Sequence, residues 1–276
     1  MTDTTLLEIL LRHERRIIIT GLVLITTLSW LYLLSGAGMA MDPLELTMFS
    51  LFPHLQVDGG MAEMDMETAS WSLKHWSIVL LMWWIMMIAM MTPGVSPVVL
   101  LYARVLRHSQ PQGQLTTIPT AAFGCGYLVA WLAFSVLATT LQWGLEQNDW
   151  LSMKMITSNG WLSGLLLISV GVYQLTPLKQ ACLKHCRSPA EFISRYMKTG
   201  KRGAFRMGIE HGGYCVGCCW LLMALLFVGG VMNLLWIAIL VLFVLSEKVL
   251  PRGPAVSQIT GFILITWGLT ILFTLN

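Results

Sequence analysis

The sequence predicts an all-α fold: a polytopic transmembrane helix bundle of about seven spans, with its N-terminus inside and its C-terminus outside. Three observations predict it. The chain is 56% hydrophobic and 11% charged with a mean hydropathy of +0.70. That balance makes residues 1–276 a single integral membrane domain with no room for a separate soluble one. Apolar stretches long enough, or nearly so, to cross a hydrocarbon core recur along the chain. With the N-terminus in the cytoplasm, 15 of the 17 Lys and Arg fall on cytoplasmic segments, and only Lys74 and Lys154 lie outside. The net charge of +3 follows from this bias and calls for no nucleic-acid partner.

Each element follows in order. Arg12, Arg15 and Arg16 precede a first span at residues 17–35. Gly38-Met39-Ala40 could serve as a signal cleavage site, but the apolar run has the length of a full span and reads as a retained anchor. Residues 36–75 form an acidic periplasmic loop with Met61, Met64 and Met66 among Glu63, Asp65 and Glu67, a weak pickup site for a soft cation. Within it, Asp42-Pro43 starts a helix that would lie along the outer membrane surface. Spans follow at 76–101, 118–143 and 160–175. The basic cytoplasmic loop at 176–209 contains a short helix capped by Thr176-Pro177, which puts Cys182 and Cys186 one turn apart on one face. Spans at 214–230 and 232–245 form a tight hairpin around Gly229-Gly230-Val231, and residues 259–275 make the last. Glu247 and Lys248 end the sixth span and are expected to pair with each other or with nearby backbone. Trp71, Trp76, Trp143, Trp150, Trp161 and Trp236 would then all sit at the outer interface, where amphipathic indoles collect.

The chemistry concentrates in the 38 residues from Cys182 to Cys219, which carry five thiols and two imidazoles. His211, Cys215, Cys219 and Met223 recur every four residues, a ladder of donors about 6 Å apart along one helix face, with Cys218 on the same side. On a reducing side these thiols stay free, so Cys182, Cys186, His211, Cys215, Cys218 and Cys219 are the expected metal ligands. Thiolate and thioether donors suit copper(I), while Cys182, Cys186, Cys215 and Cys218 alone would also serve a tetrahedral zinc. Cysteine can also act as a small residue for close helix packing, the simplest account of Cys125 between Gly124 and Gly126.

The second span carries Met82, Met86, Met87, Met90 and Met91 ahead of Pro93 and Pro97. The two prolines predict a broken helix of the kind that binds cargo in transporters. Met82, Met86 and Met90, with Met223, form a secondary metal path. Taken alone, a Met-rich packing face with a kink accounts for the same residues. No acidic residue lies mid-membrane in any expected span, which argues against a proton relay, and no phosphate-binding Gly loop supports ATP-driven pumping.

These residues resemble a bacterial family of predicted metal-binding integral membrane proteins. The resemblance rests on Trp83 to Met91 with Pro93, on Tyr173-Gln174 with Pro177-Leu178-Lys179 and Cys182 to Pro189, and on His211-Gly212 with Cys215 and Gly217-Cys218-Cys219-Trp220. Met223, Met232-Asn233 and Glu247-Lys248 complete it. It implies metal binding in a bacterial inner membrane. The expected function is transport or trafficking of a soft metal, with the lipid bilayer, the ion, and a metal chaperone or larger membrane complex as partners. A membrane thiol-disulfide oxidoreductase and a metal-stabilised accessory or assembly subunit are the alternatives. No catalytic residue is assigned.

Overall fold

A computed structural model describes residues 6–37, 47, 71–109, 116–148, 150–151, 160–198 and 200–274. The fold is all-helical. In chain order the helices are α1 (Leu6–Leu34), α2 (Leu73–Ser109), α3 (Thr117–Gln147), α4 (Gly160–Leu175) and α5 (Pro177–Arg187). They are followed by α6 (Pro189–Tyr196), α7 (Gly200–Ala224), the single turn α8 (Leu226–Gly229), α9 (Leu234–Val249) and α10 (Gly253–Thr274). Five helical segments are long and apolar enough to cross a membrane: Glu14–Leu34, Leu73–Ser109, Thr117–Gln147, Gly200–Gly229 and Gly253–Thr274. The other two expected spans, α4 and α9, are apolar but only 16 residues long. A 64° bend joins α4 to α5 at Thr176. The acidic Met segment, including Met61, Met64 and Met66, lies outside the described residues.

α2 runs through the middle. Met82, Trp83, Met86, Met87, Met90 and Met91 are all at most 1% exposed, whereas α1 turns Val23, Leu24, Leu28 and Leu31 outward, as a lipid-facing helix does. α3 and α7 make the closest pair. A Cβ at Gly208 would collide with the Phe123 carbonyl, and one at Gly126 with that of Phe205, so backbone packs on backbone. α4 and α10 meet the same way, Gly171 against Gly261 and Gly164 against Gly268.

Four expectations change. The second span is not broken: α2 is one helix with both prolines inside it. Each proline removes only one donor, and hydroxyls brace the turns around them. Thr92 Oγ1 donates to the Ile88 carbonyl at 2.6 Å, and Ser96 Oγ donates to that of Thr92 at 2.8 Å. The segment at 176–209 is helical for most of its length, since α7 begins at Gly200 and runs into the expected fifth span without a break. Cys125 faces outward, and the close contact on α3 belongs to Gly126. Glu247 and Lys248 do not pair with each other. Consecutive residues leave a helix about 100° apart, and these two reach different partners.

Candidate metal centre

The site begins with how α5 is held. Thr176 caps it, its hydroxyl accepting from the Lys179 backbone N–H, and Pro177 fills the first helical position, where a missing N–H costs nothing. Lys179 is then fully buried, and its ammonium donates to both Glu247 carboxylate oxygens, at 2.7 and 2.9 Å, and to Gln174 Oε1. Ser257 Oγ donates to the same carboxylate from α10. The pair ties the N-terminal turn of α5 to the C-terminal turn of α9, and α5 lies along α7.

That placement brings Cys186 to the cysteines of α7. The sulfurs of Cys186, Cys215 and Cys218 all lie within 4.8 Å of one another, and all three residues are buried. Cys186 Sγ is 3.9 Å from Cys218 Sγ. A triangle with every edge at that 3.9 Å separation would put its centre about 2.3 Å from each sulfur, the length of a metal–thiolate bond, and one with edges at the 4.8 Å limit about 2.8 Å. Three soft donors grouped this closely can close on a soft ion with small side-chain shifts.

The surroundings are polarised toward one sulfur. Lys248 Nζ donates to Cys215 Sγ at 3.1 Å, and the Tyr127 hydroxyl lies 3.1 Å from the same atom. An ammonium and a phenol at these distances compensate negative charge on Cys215. The thiols of Cys218 and Cys219 both donate to the Cys215 carbonyl, at 3.1 and 2.9 Å. Lys248 also packs against the proline-bearing stretch of α2, where a Cβ on Gly94 would meet its Nζ at 3.3 Å.

Not every expected ligand joins the group. Cys182 is one turn back on α5 and half-buried, its sulfur seated against Gly217 of α7, where an added Cβ would come within 3.0 Å of it. It lies outside the compact triad, so a Cys182–Cys186–Cys215–Cys218 zinc quartet is not assembled. Cys219 is buried but turned to the helix backbone. His211 is buried among Phe123, Tyr127 and Phe192 with its Nδ1 unpartnered, and it too lies outside the triad. His185 stacks on Tyr214 at 4.2 Å and is not part of the triad. Met82, Met86, Met90 and Met223 are all in the core.

Lys248 and Tyr127 are the site residues that sequence reasoning missed. The signal for Lys248 was a cation ending an apolar helix beside an acid that had a buried partner elsewhere. Tyr127, one aromatic among many, carried none.

A family model described as copper chaperone, PpoB2, matches residues 80–271. The chain belongs to this copper-chaperone family. The matched stretch contains every thiol described above, the Met residues of α2, Tyr127, and the Lys179–Glu247 and Lys248–Cys215 contacts, and it leaves out α1. Neither the comparison with curated proteins nor that with solved structures found a match.

Proposed function

We propose that this protein is a membrane-embedded carrier of copper(I), which it holds at Cys186, Cys215 and Cys218 and passes on. The observation that carries the reading is the buried thiol triad in a chain of the copper-chaperone family. Three soft donors at this spacing suit copper(I), whereas structural zinc takes four, and among the described residues no further His, Cys, Asp or Glu completes the group. Three thiolates around a monovalent ion carry excess negative charge, and Lys248 supplies a counter-charge at 3.1 Å. Cys182, His211 and Cys219 then act as neighbouring donors through which the ion is handed over by ligand exchange. The thioethers of Met82, Met86, Met90 and Met223 form the weaker path. The five long apolar helices support a bilayer setting, and the basic-residue bias supports an inner membrane with N-in, C-out orientation. A soluble metal chaperone or a larger membrane complex would be the partner.

A second reading rests on one distance. Cys186 and Cys218, 3.9 Å apart, could close into a disulfide with a small side-chain rotation, as in a thiol oxidoreductase. Elemental analysis after anaerobic purification separates the two. Copper bound to the wild type and lost in Cys186→Ser with Cys218→Ser supports the carrier. Metal-free protein whose thiols cycle between reduced and oxidised forms supports the oxidoreductase. Tightly held zinc would make the metal a staple of an accessory subunit.

A further inference from the structure

α3 carries a buried polar stripe that meets the thiol site only at Tyr127. Tyr127, Trp131, Ser135, Thr139, Gln142 and Glu146 follow one another at steps of three or four residues, which is one face of a helix. The first five are at most 2% exposed. Polar groups inside a membrane bundle are costly, and those that occur line pathways for ions or polar cargo. Two of these have no hydrogen-bond partner among the described residues, Trp131 Nε1 and Thr139 Oγ1. A buried polar group left open in this way calls for an explanation, and a passing or bound ion is one that fits a membrane bundle.

Contacts at both ends set the stripe against α2, the helix that carries the buried methionines. Near the thiol site the Tyr127 hydroxyl lies 3.1 Å from Cys215 Sγ and 3.5 Å from the Met91 carbonyl. Toward the other end, Trp83 Nε1 donates to Gln142 Oε1 at 2.7 Å, with Met82 and Met86 buried beside it. Gln142 Nε2 in turn donates to Glu146 Oε1 at 2.8 Å, and Trp71 Nε1 donates to Glu146 Oε2 at 2.9 Å. Glu146 is half-buried at the end of α3, held only by neutral donors, with no ion-pair partner among the described residues. The stripe thus starts at a carboxylate with no ion-pair partner among the described residues, lies against the helix that carries the buried methionines, and ends at a thiol.

We propose that Glu146 is the far mouth of a monovalent-cation route along α3 to Cys215. The route rests on the copper(I) reading above. Glu146 concentrates the cation by charge, and the Gln142–Trp83 contact is the constriction behind it. The unbranched Met side chains of α2 then pass the ion from thioether to thioether, re-packing as it moves. The step is ligand exchange throughout: the ion stays copper(I), and no electron is transferred. The final exchange, thioether for thiolate, is downhill for a soft ion.

The test uses full-length protein in proteoliposomes loaded with a membrane-impermeant copper(I) chelator, with metal content of the detergent-purified protein measured in parallel. Glu146→Gln removes the charge and keeps the hydrogen-bonding shape. It should slow copper(I) arrival at low external copper by roughly tenfold, the scale of electrostatic concentration at a charged mouth, while bound copper stays at the wild-type level. Glu146→Asp should restore most of the rate. Thr139→Val, close in volume, should slow arrival with bound copper again unchanged. Wild-type rates in both Glu146→Gln and Thr139→Val would overturn the route. So would loss of bound copper in Glu146→Gln, which would make the residue structural. A wild type that binds copper and moves none overturns the route alone. One that binds no copper overturns the triad reading and the route with it.

Discussion

The buried ion pair between Lys179 and Glu247 should dominate the stability of the region around the site. The two side chains are 0% and 2% exposed, joined at 2.7 Å, and among the described residues the carboxylate has Ser257 as its only other side-chain partner. Lys179→Met would leave that carboxylate buried with a single hydroxyl for company. Removing one member of such a pair costs about 3–5 kcal/mol, because the survivor's charge is no longer compensated. By the scaling for chains of comparable size, this lowers the melting midpoint by roughly 6–20 °C. Glu247→Gln should cost less, since an amide can still accept from the ammonium. Replacing both, with Lys179→Met and Glu247→Leu, should recover most of the loss, as apolar replacements of buried pairs are often neutral. The assay is thermal unfolding of detergent-purified protein, followed by copper content per chain. Bound copper should fall with Lys179→Met, because Lys179 holds the helix that delivers Cys186 to Cys218. A Lys179→Met protein that melts with the wild type and keeps its copper would refute the reasoning.

Two other outcomes follow from contacts at the sulfurs and at the helix crossing. Lys248→Met should weaken copper(I) binding by roughly a hundredfold or more, given the interaction of unit charges near 4 Å. Lys248→Arg should retain most of the affinity, and in every variant binding should weaken as pH falls, because each thiol must lose its proton to bind; a copper titration against a competing chelator at several pH values reads both. Gly208→Ala forces a methyl into the Phe123 carbonyl and should destabilise the protein by about 1–3 kcal/mol. Its melting curve should shift while Gly213→Ala, with nothing within 4 Å of the added Cβ, stays near the wild type.

The helices were legible in the sequence because apolar length is a direct physical requirement, and Thr176-Pro177 announced the start of α5. The convergence of Cys186 with Cys215 and Cys218 was legible because a one-turn spacing on each helix points sulfur to one face. Beyond that, local pattern ran out. Nothing in the order of residues distinguishes Cys182, which falls against Gly217, from Cys186, which reaches the triad, because one turn of a short helix decides it. The prolines of α2 suggested a break because their cost is local, whereas the bracing by Thr92 and Ser96 hydroxyls and the packing of neighbouring helices decide continuity. The partners of Glu247 and Lys248 depend on which helices flank α9, and adjacency in sequence pointed to the wrong pairing.

Those two neighbours also set a mechanical condition. One residue fastens the strut that carries Cys186, and the next sits on the sulfur of Cys215, so a single peptide unit spans both jaws of the clasp. Inserting or deleting one residue upstream in α9 would swing both contacts by about a quarter turn together. Neither jaw can be retuned by sliding this helix without disturbing the other, and whatever shifts the end of α9 loosens or tightens the grip as a whole.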